Sequence, residues 1–99
     1  MKYKFVVLEK ADNEYYDALN WYALQQNDLV AKFADDVRVS IDGILRNPES
    51  YSQTRRGYRQ ALMEKFPYVI VYAVDKKAGI ISIVSIFHTS RHPKQKFRK

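Results

Sequence analysis

The chain has 99 residues, of which 46% are hydrophobic and only three are glycine and three proline. This composition predicts one folded domain over residues 1–99, with a single core, rather than a disordered chain. The lack of cysteine excludes disulfides, thiolate metal ligands and cysteine nucleophiles, and it favours a cytoplasmic protein. The apolar run within MKYKFVVLEK is far too short for a secretion signal or a membrane span.

Charge is distributed unevenly along the chain, although the net charge is +6. Residues 1–50 contain six Lys or Arg against nine Asp or Glu, a balance of −3, whereas residues 51–99 contain eleven against two, a balance of +9. If both halves share one domain, its surface has a basic pole built from the C-terminal half. Such a pole favours nucleic acid or an acidic protein segment as a partner. A surplus of lysine that serves only solubility is the alternative interpretation.

The N-terminal half predicts a strand followed by two helices. Residues 3–9 are β-branched and aromatic enough for the strand. The first helix is expected from Asp12, as its N-cap, to about Gln26, with an apolar stripe of Tyr15, Ala18, Leu19 and Tyr22. The second helix is expected over about 29–46, with a stripe of Val30, Phe33, Val37, Ile41 and Ile44 and with Asp35, Asp36, Arg38 and Asp42 largely on other faces.

Short connections then set the predicted architecture. The brief link between the helices requires an antiparallel hairpin, and Asn47-Pro48 ends the second helix. Residues 49–57 are polar and indicate a loop, and a strand is expected over 58–66. The apolar runs 68–74 and 80–87, joined by a charged turn that ends in Gly79, indicate a β-hairpin covered on both faces. The predicted class is α+β: an N-terminal strand, whose pairing stays open, and a helical hairpin packed on a three-stranded antiparallel meander.

Two basic clusters follow from this arrangement. The first comprises Arg55, Arg56 and Arg59, and the second comprises Arg91, Lys94, Lys96, Arg98 and Lys99. The first and third strands of a meander share a direction, so the clusters are expected at opposite ends of the sheet. Arg59 and Arg91 are the residues expected to contact phosphate or carboxylate, since a guanidinium binds either group bidentately. An ion pair of these arginines with Glu64 or Asp75 is the alternative.

His88 is the candidate acid–base group, because an imidazole titrates near neutrality. A strand-end histidine that is hydrogen-bonded for structural reasons is the alternative. His92 follows four residues later, but without carboxylate neighbours the pair does not predict a metal site. The sequence contains no glycine-rich phosphate loop, nucleophile elbow or paired-carboxylate pattern, so neither a nucleotide cofactor nor conventional hydrolase chemistry is expected.

Four segments in this order resemble the RelE/ParE superfamily of toxins from type II toxin–antitoxin modules: EYYDALNWY, KFADDVRVSIDGILRNPESY, GYRQALMEKFPYVIVYAVD and GIISIVSIFHTSRHP. The most specific parts are Asn47-Pro48, Phe66-Pro67-Tyr68 and His88-x-x-Arg91-x-Pro93. The resemblance implies a small antiparallel sheet that carries an N-terminal helical hairpin. It also implies a role in plasmid stabilisation and neutralisation by an acidic, partly disordered antitoxin segment that wraps the toxin.

The superfamily divides by target. RelE-like members cut messenger RNA in the ribosome without a metal, and the resemblance would assign that chemistry to Arg59, His88, Arg91 and Lys94. The arginine typical of that branch is replaced here by Val69, and the tail tyrosine by Phe97.

ParE-like members inhibit DNA gyrase by binding and need no active-site acid or base. The Phe-Pro-Tyr and His-x-x-Arg-x-Pro segments resemble this branch more, so gyrase inhibition is favoured, with mRNA cleavage or a non-toxic relative as alternatives. Target contacts are expected from Arg55, Arg56, Arg59, Arg91, Lys94, Lys96 and Arg98.

Overall fold

The computed structural model describes residues 2–54 and 56–90. Its elements in chain order are β1 (Lys4–Val7), α1 (Glu9–Gln25), α2 (Asn27–Arg46), β2 (Ser52–Gln53), β3 (Arg59–Leu62), β4 (Tyr68–Asp75) and β5 (Ile80–His88). The α+β class is therefore confirmed. The predicted three-stranded meander is part of one mixed five-stranded sheet with the strand order β1-β5-β4-β3-β2. In the described ranges, neither helix combines the length and the apolar content that crossing a bilayer requires.

The expected meander of β3, β4 and β5 is present and antiparallel. Two short strands extend it at its edges: β1 pairs in parallel with β5, and β2 pairs antiparallel with β3. β2 lies within the segment that was expected to be a loop. β3 is shorter than the predicted strand over 58–66, because residues 63–67 turn the chain back toward β4.

Both helices begin earlier than the sequence predicts, α2 at Asn27 rather than at about residue 29. α1 starts at Glu9, one turn before Asp12, and its N-cap Leu8 makes no side-chain cap. The backbone amide of Asp12 instead donates to the carbonyl of Leu8 at 2.9 Å, as an ordinary helical bond. Gln26 alone separates the two helices. The predicted end of α2 at Asn47-Pro48 is confirmed.

The main core lies between the helices and one face of the sheet. The largest fully buried side chains are Phe33, Ile44, Ile70, Tyr72, Ile81 and Ile83. The stripe predicted for α1 contacts this core, as do Phe33, Val37, Ile41 and Ile44 of the stripe predicted for α2. The expectation that Asp36 points elsewhere is wrong, because its side chain is only 3% exposed. It is directed inward because it binds two backbone amides of the turn between β3 and β4.

A register shift in β5 changes which of its side chains face the main core. Tyr72 pairs with Ile83 while Val71 pairs with Ser85, so Val84 is an extra residue. After such a bulge the alternation of side chains is reset. Ile83 and Ile86 therefore both join the main core, although their odd spacing would place them on opposite faces of a regular strand. On the other face a smaller cluster forms from Val69, Val71, Val84 and Phe87.

Candidate functional site

β1 presents an open edge on the described part of the molecule. The amides of Lys4 and Leu8 donate to the carbonyls of Gly79 and Ile83, each at 2.9 Å. In a parallel pair, alternate residues direct both backbone groups toward the neighbour. The N–H and C=O groups of Phe5 and Val7 therefore point away from β5. Their side chains are 43% and 38% exposed. This combination makes β1 a template for an added strand.

An apolar groove of about 280 Å³ runs beside this edge. Its apolar lining is contributed by β1, both helices and β5, through Phe5, Val7, Tyr15, Val37, Ile41 and Ile86. Arg38 also lines the groove, but its guanidinium already binds Asp35 at 2.8 Å and Asp42 at 3.2 Å. The groove can therefore receive apolar side chains of a peptide bound along β1. We call β1 and this groove together the edge groove.

The Phe-Pro-Tyr segment and the end of β5 form one structural unit. The ring of Phe66 packs edge-on against Tyr22 and Phe33, with centroid distances of 5.1 and 5.3 Å. The carbonyl of Pro67 accepts the amide of Thr89 at 2.8 Å. The ring of Tyr68 lies 5.2 Å from that of His88. Two segments that are separate in the sequence therefore jointly determine where the chain leaves the sheet.

In His88, the unprotonated ring nitrogen, which a general base would use to accept a proton, already accepts a hydrogen bond. Its Nδ1 lies 3.1 Å from the backbone nitrogen of Ser90, and a backbone N–H can only donate. A neutral imidazole in this geometry carries its proton on Nε2. Nδ1 is therefore occupied as an acceptor, which supports the interpretation of His88 as a hydrogen-bonded strand-end residue. Its role in acid–base chemistry stays a prediction.

Arg59 binds backbone carbonyls. Its Nη1 donates to the carbonyl of Tyr51 at 2.6 Å and to that of Glu49 at 3.2 Å. It thus holds the loop that follows α2 against β3. Lys76 contacts the same loop through an ion pair with the side chain of Glu49 at 2.5 Å, which raises the pKa of the lysine and lowers that of the carboxylate.

Tyr72 anchors this loop from inside the core. Its hydroxyl donates to the carbonyl of Pro48 at 2.6 Å, and the side chain is fully buried. Burial raises the pKa of Tyr72 to about 12, although the nearby Arg59 acts in the opposite direction. The neutral hydroxyl is therefore maintained as a donor well above neutral pH.

The sheet separates the candidate residues that the structure describes. Arg59 pairs with Tyr72 and His88 pairs with Tyr68, so the two lie four residues apart along β4. This offset is roughly 13 Å along a strand. Arg56 is exposed in the turn before β3. The remaining candidates lie outside the described residues: Arg55, Arg91, Lys94, Lys96 and Arg98.

Val69 occupies the place where a RelE-like toxin would carry its arginine. It pairs with Phe87, and both are buried in the smaller apolar cluster, 9% and 7% exposed. An arginine there would have to displace this packing. Within residues 2–54 and 56–90, no three His, Asp or Glu side chains are grouped to hold a metal ion.

Two acidic residues with structural roles were missed by the sequence analysis. Glu14 accepts the hydroxyl of Ser85 at 2.8 Å and the amide of Ile86 at 2.9 Å, which joins α1 to β5. Asp36 accepts the amides of Lys65 and Phe66 at 2.8 and 2.9 Å. The second could have been found, because Asp36 lies three residues after Phe33 and next to Val37, within the apolar stripe of α2.

These features define a small α+β protein with an open edge for protein contact and no assembled acid–base centre among its described residues. A solved structure described as the chromosomal ParDE TA system from P. aeruginosa has the same fold, with a TM-score of 0.75 at 14% sequence identity. That match covers 88% of this chain and 96% of the other. A search of curated proteins finds no match.

The family itself is identified by a match to a family model. Residues 5–93 match the family described as ParE toxin of type II toxin-antitoxin system, parDE. The chain belongs to this family, which confirms the resemblance to ParE-like toxins.

Proposed function

We propose that this protein is a toxin that inhibits DNA gyrase by binding and is neutralised by a cognate antitoxin. The observation that carries the proposal is the ParE family match over residues 5–93. The separation of Arg59 from His88, and the occupied Nδ1 of His88, support binding rather than catalysis. The protein would act in the cytoplasm and serve plasmid stabilisation.

The basic C-terminal half is proposed as the surface that contacts the target. Of its residues, Arg56 is exposed beside β3, and the chain continues beyond Ser90 into Arg91, Lys94, Lys96 and Arg98. Basic side chains at a protein interface act mainly through complementary charge, which raises the association rate and makes it sensitive to salt. Inhibition is therefore expected to weaken as ionic strength rises.

The edge groove is proposed as the antitoxin contact. An extended antitoxin segment would pair with the free backbone groups of Phe5 and Val7 and place apolar side chains in the groove. Lys2 and Lys4 are exposed at the beginning of this edge and favour an acidic segment. Coupled folding of such a segment commonly buries more than about 1,000 Å².

Purified gyrase tests the toxin activity directly. Supercoiling and decatenation are measured with micromolar toxin, and inhibition is expected. Addition of the product of the adjacent gene, as the candidate antitoxin, should restore gyrase activity. Unchanged gyrase activity at micromolar toxin would contradict the proposed target. Induction in cells without growth arrest would contradict a toxin of any kind.

A pair of matched variants tests the antitoxin contact. Phe5 and Val6 are 43% and 44% exposed on the same strand, but only Phe5 lines the groove. Phe5→Ser should weaken antitoxin binding by about tenfold or more, since losing one buried aromatic contact at an interface commonly has such an effect. Val6→Ser should have much less effect. Equal effects of the two substitutions on affinity would exclude the edge groove as the binding site.

Ribosome-dependent mRNA cleavage is the alternative. Primer extension on translated messages after induction would reveal cleavage in the ribosomal A site. Cleavage that is abolished in a His88→Ala, Arg91→Ala double variant would support the endonuclease and overturn the binding mechanism. We expect no such cleavage.

A further inference from the structure

A buried carboxylate on α2 is connected to the place where the chain leaves the sheet. The side chain of Asp36 is 3% exposed, and its Oδ2 accepts the amides of Lys65 and Phe66 at 2.8 and 2.9 Å. Both amides belong to the turn between β3 and β4. Asp36 therefore fixes the backbone of this turn against the helices.

The same turn binds the end of β5. The carbonyl of Pro67, the residue after Phe66, accepts the amide of Thr89 at 2.8 Å. Within the turn, the amide of Met63 donates to the carbonyl of Tyr68 at 2.9 Å and the amide of Tyr68 to that of Phe66 at 2.8 Å. Hydrogen bonds thus connect the turn to α2 on one side and to Thr89 on the other, and the backbone between Phe66 and Pro67 joins the two.

We propose that Asp36 is a positioning residue for target binding, because through the 63–67 turn it determines the direction in which the chain leaves β5. Thr89 lies two residues before Arg91, the first basic residue after β5 in the sequence. The inference rests on the proposed role of the basic C-terminal residues in contacting the target. Asp36 contacts no target itself; it acts through Pro67 and Thr89.

Amide hydrogen exchange by NMR tests the structural part without any target. In Asp36→Ala, the backbone amides of Lys65, Phe66 and Thr89 should exchange about tenfold faster or more. An amide proton exchanges faster when its hydrogen bond is lost or opens more often. The amide of Ile83, in the centre of β5, should change much less. Asp36→Asn retains a side-chain oxygen and should restore most of the protection.

Two further variants keep the test specific. Asp35 is the matched control, because it is an acidic neighbour whose exposed side chain binds Arg38 of the same helix at 2.8 Å. Asp35→Ala should leave the exchange at Thr89 unchanged. Thr89→Pro removes the donor to the carbonyl of Pro67 while leaving α2 intact. It should leave Lys65 and Phe66 protected and still reduce gyrase inhibition.

The outcomes separate this inference from the proposed function. Asp36→Ala and Thr89→Pro should raise the toxin concentration for half-inhibition of gyrase, while Asp36→Asn and Asp35→Ala should not. Exchange that accelerates at Lys65 and Phe66 but not at Thr89, or that accelerates equally at Ile83, would overturn the positioning role. A wild-type protein that does not inhibit gyrase would refute the proposed target, whereas the exchange result at Thr89 would stand independently.

Discussion

The carboxylate of Glu14 takes the place of a strand beside Ile86, whose amide it accepts at 2.9 Å. β1 pairs with β5 only as far as Val7 and Ile83. Beyond that point the chain enters α1, and no strand among residues 2–54 and 56–90 pairs with the next amides on this edge of β5. Glu14 reaches back from the second turn of α1, so a helix side chain completes the sheet edge.

Removing this carboxylate should destabilise the fold. Glu14→Ala leaves the amide of Ile86 and the hydroxyl of Ser85 without their acceptor, and an unsatisfied buried donor costs about 1–3 kcal/mol. The free energy of unfolding, measured by denaturant titration, should fall by that amount. Glu9→Ala, at the exposed start of α1, is the control and should change stability much less. Equal losses in the two variants would show that the contact with β5 is unimportant.

Replacing Tyr72 by phenylalanine should lower the free energy of unfolding, because it removes a buried hydroxyl. Tyr72→Phe removes the donor to the carbonyl of Pro48, and an intramolecular hydrogen bond of this kind contributes about 0.5–1.5 kcal/mol. Denaturant titration at neutral pH should show a loss of this size. Tyr58→Phe is a suitable control, because Tyr58 is 36% exposed. A Tyr72→Phe variant as stable as the wild type would contradict the role of this bond.

The same residue should make stability depend on pH in the alkaline range. The pKa of Tyr72 is raised from 10.0 to about 12 in the folded protein. Between these values the unfolded chain loses the proton while the folded protein retains it, so the stabilisation present below pH 10 is lost progressively as pH rises. Tyr72→Phe should lose less stability than the wild type over this interval. If the free energy of unfolding changed with pH in the same way in both proteins, the hydroxyl of Tyr72 would have the same pKa in the folded and unfolded states.

Gly43 should not tolerate a methyl group. A Cβ at this position of α2 would lie 2.8 Å from the hydroxyl oxygen of Tyr51. The ring is rigid and its backbone carbonyl is bound by Arg59, so Gly43→Ala should destabilise by about 1–3 kcal/mol, as overpacking commonly does. Tyr51→Phe removes the clashing oxygen and should restore part of the loss in the double variant. A double variant whose losses simply add would contradict the steric explanation.

The tautomer of His88 can be measured directly. Because Nδ1 accepts the amide of Ser90 at 3.1 Å, the neutral ring should carry its proton on Nε2. Nitrogen chemical shifts recorded at a pH where the ring is neutral distinguish the two tautomers. A ring that is protonated on Nδ1 would show that the contact with Ser90 is absent in solution, and it would restore His88 as a possible base at Nε2.

The order of the helices and of every strand except β2 could be predicted from the sequence, because it depends on local patterns. Apolar residues at three-and-four spacing indicated both helices, and the runs 68–74 and 80–87 indicated the central hairpin. The start of α1 could not be predicted, since Asp12 has the side chain of an N-cap but the chain is already helical at Glu9. The register shift at Val84 has no local signature either, because it depends on which residues of β4 lie opposite.

The residues by themselves determined an α+β domain with a charged C-terminal half and a ParE-like order of motifs. Only the tertiary structure decided that β1 lies beside β5, where among the described residues the backbone groups of Phe5 and Val7 stay free, and that Glu14 contacts Ile86. The physical reason is that helical and strand periodicity are properties of neighbouring residues. Strand pairing and buried hydrogen bonds depend instead on residues that are distant in the sequence, such as Glu14 and Ile86.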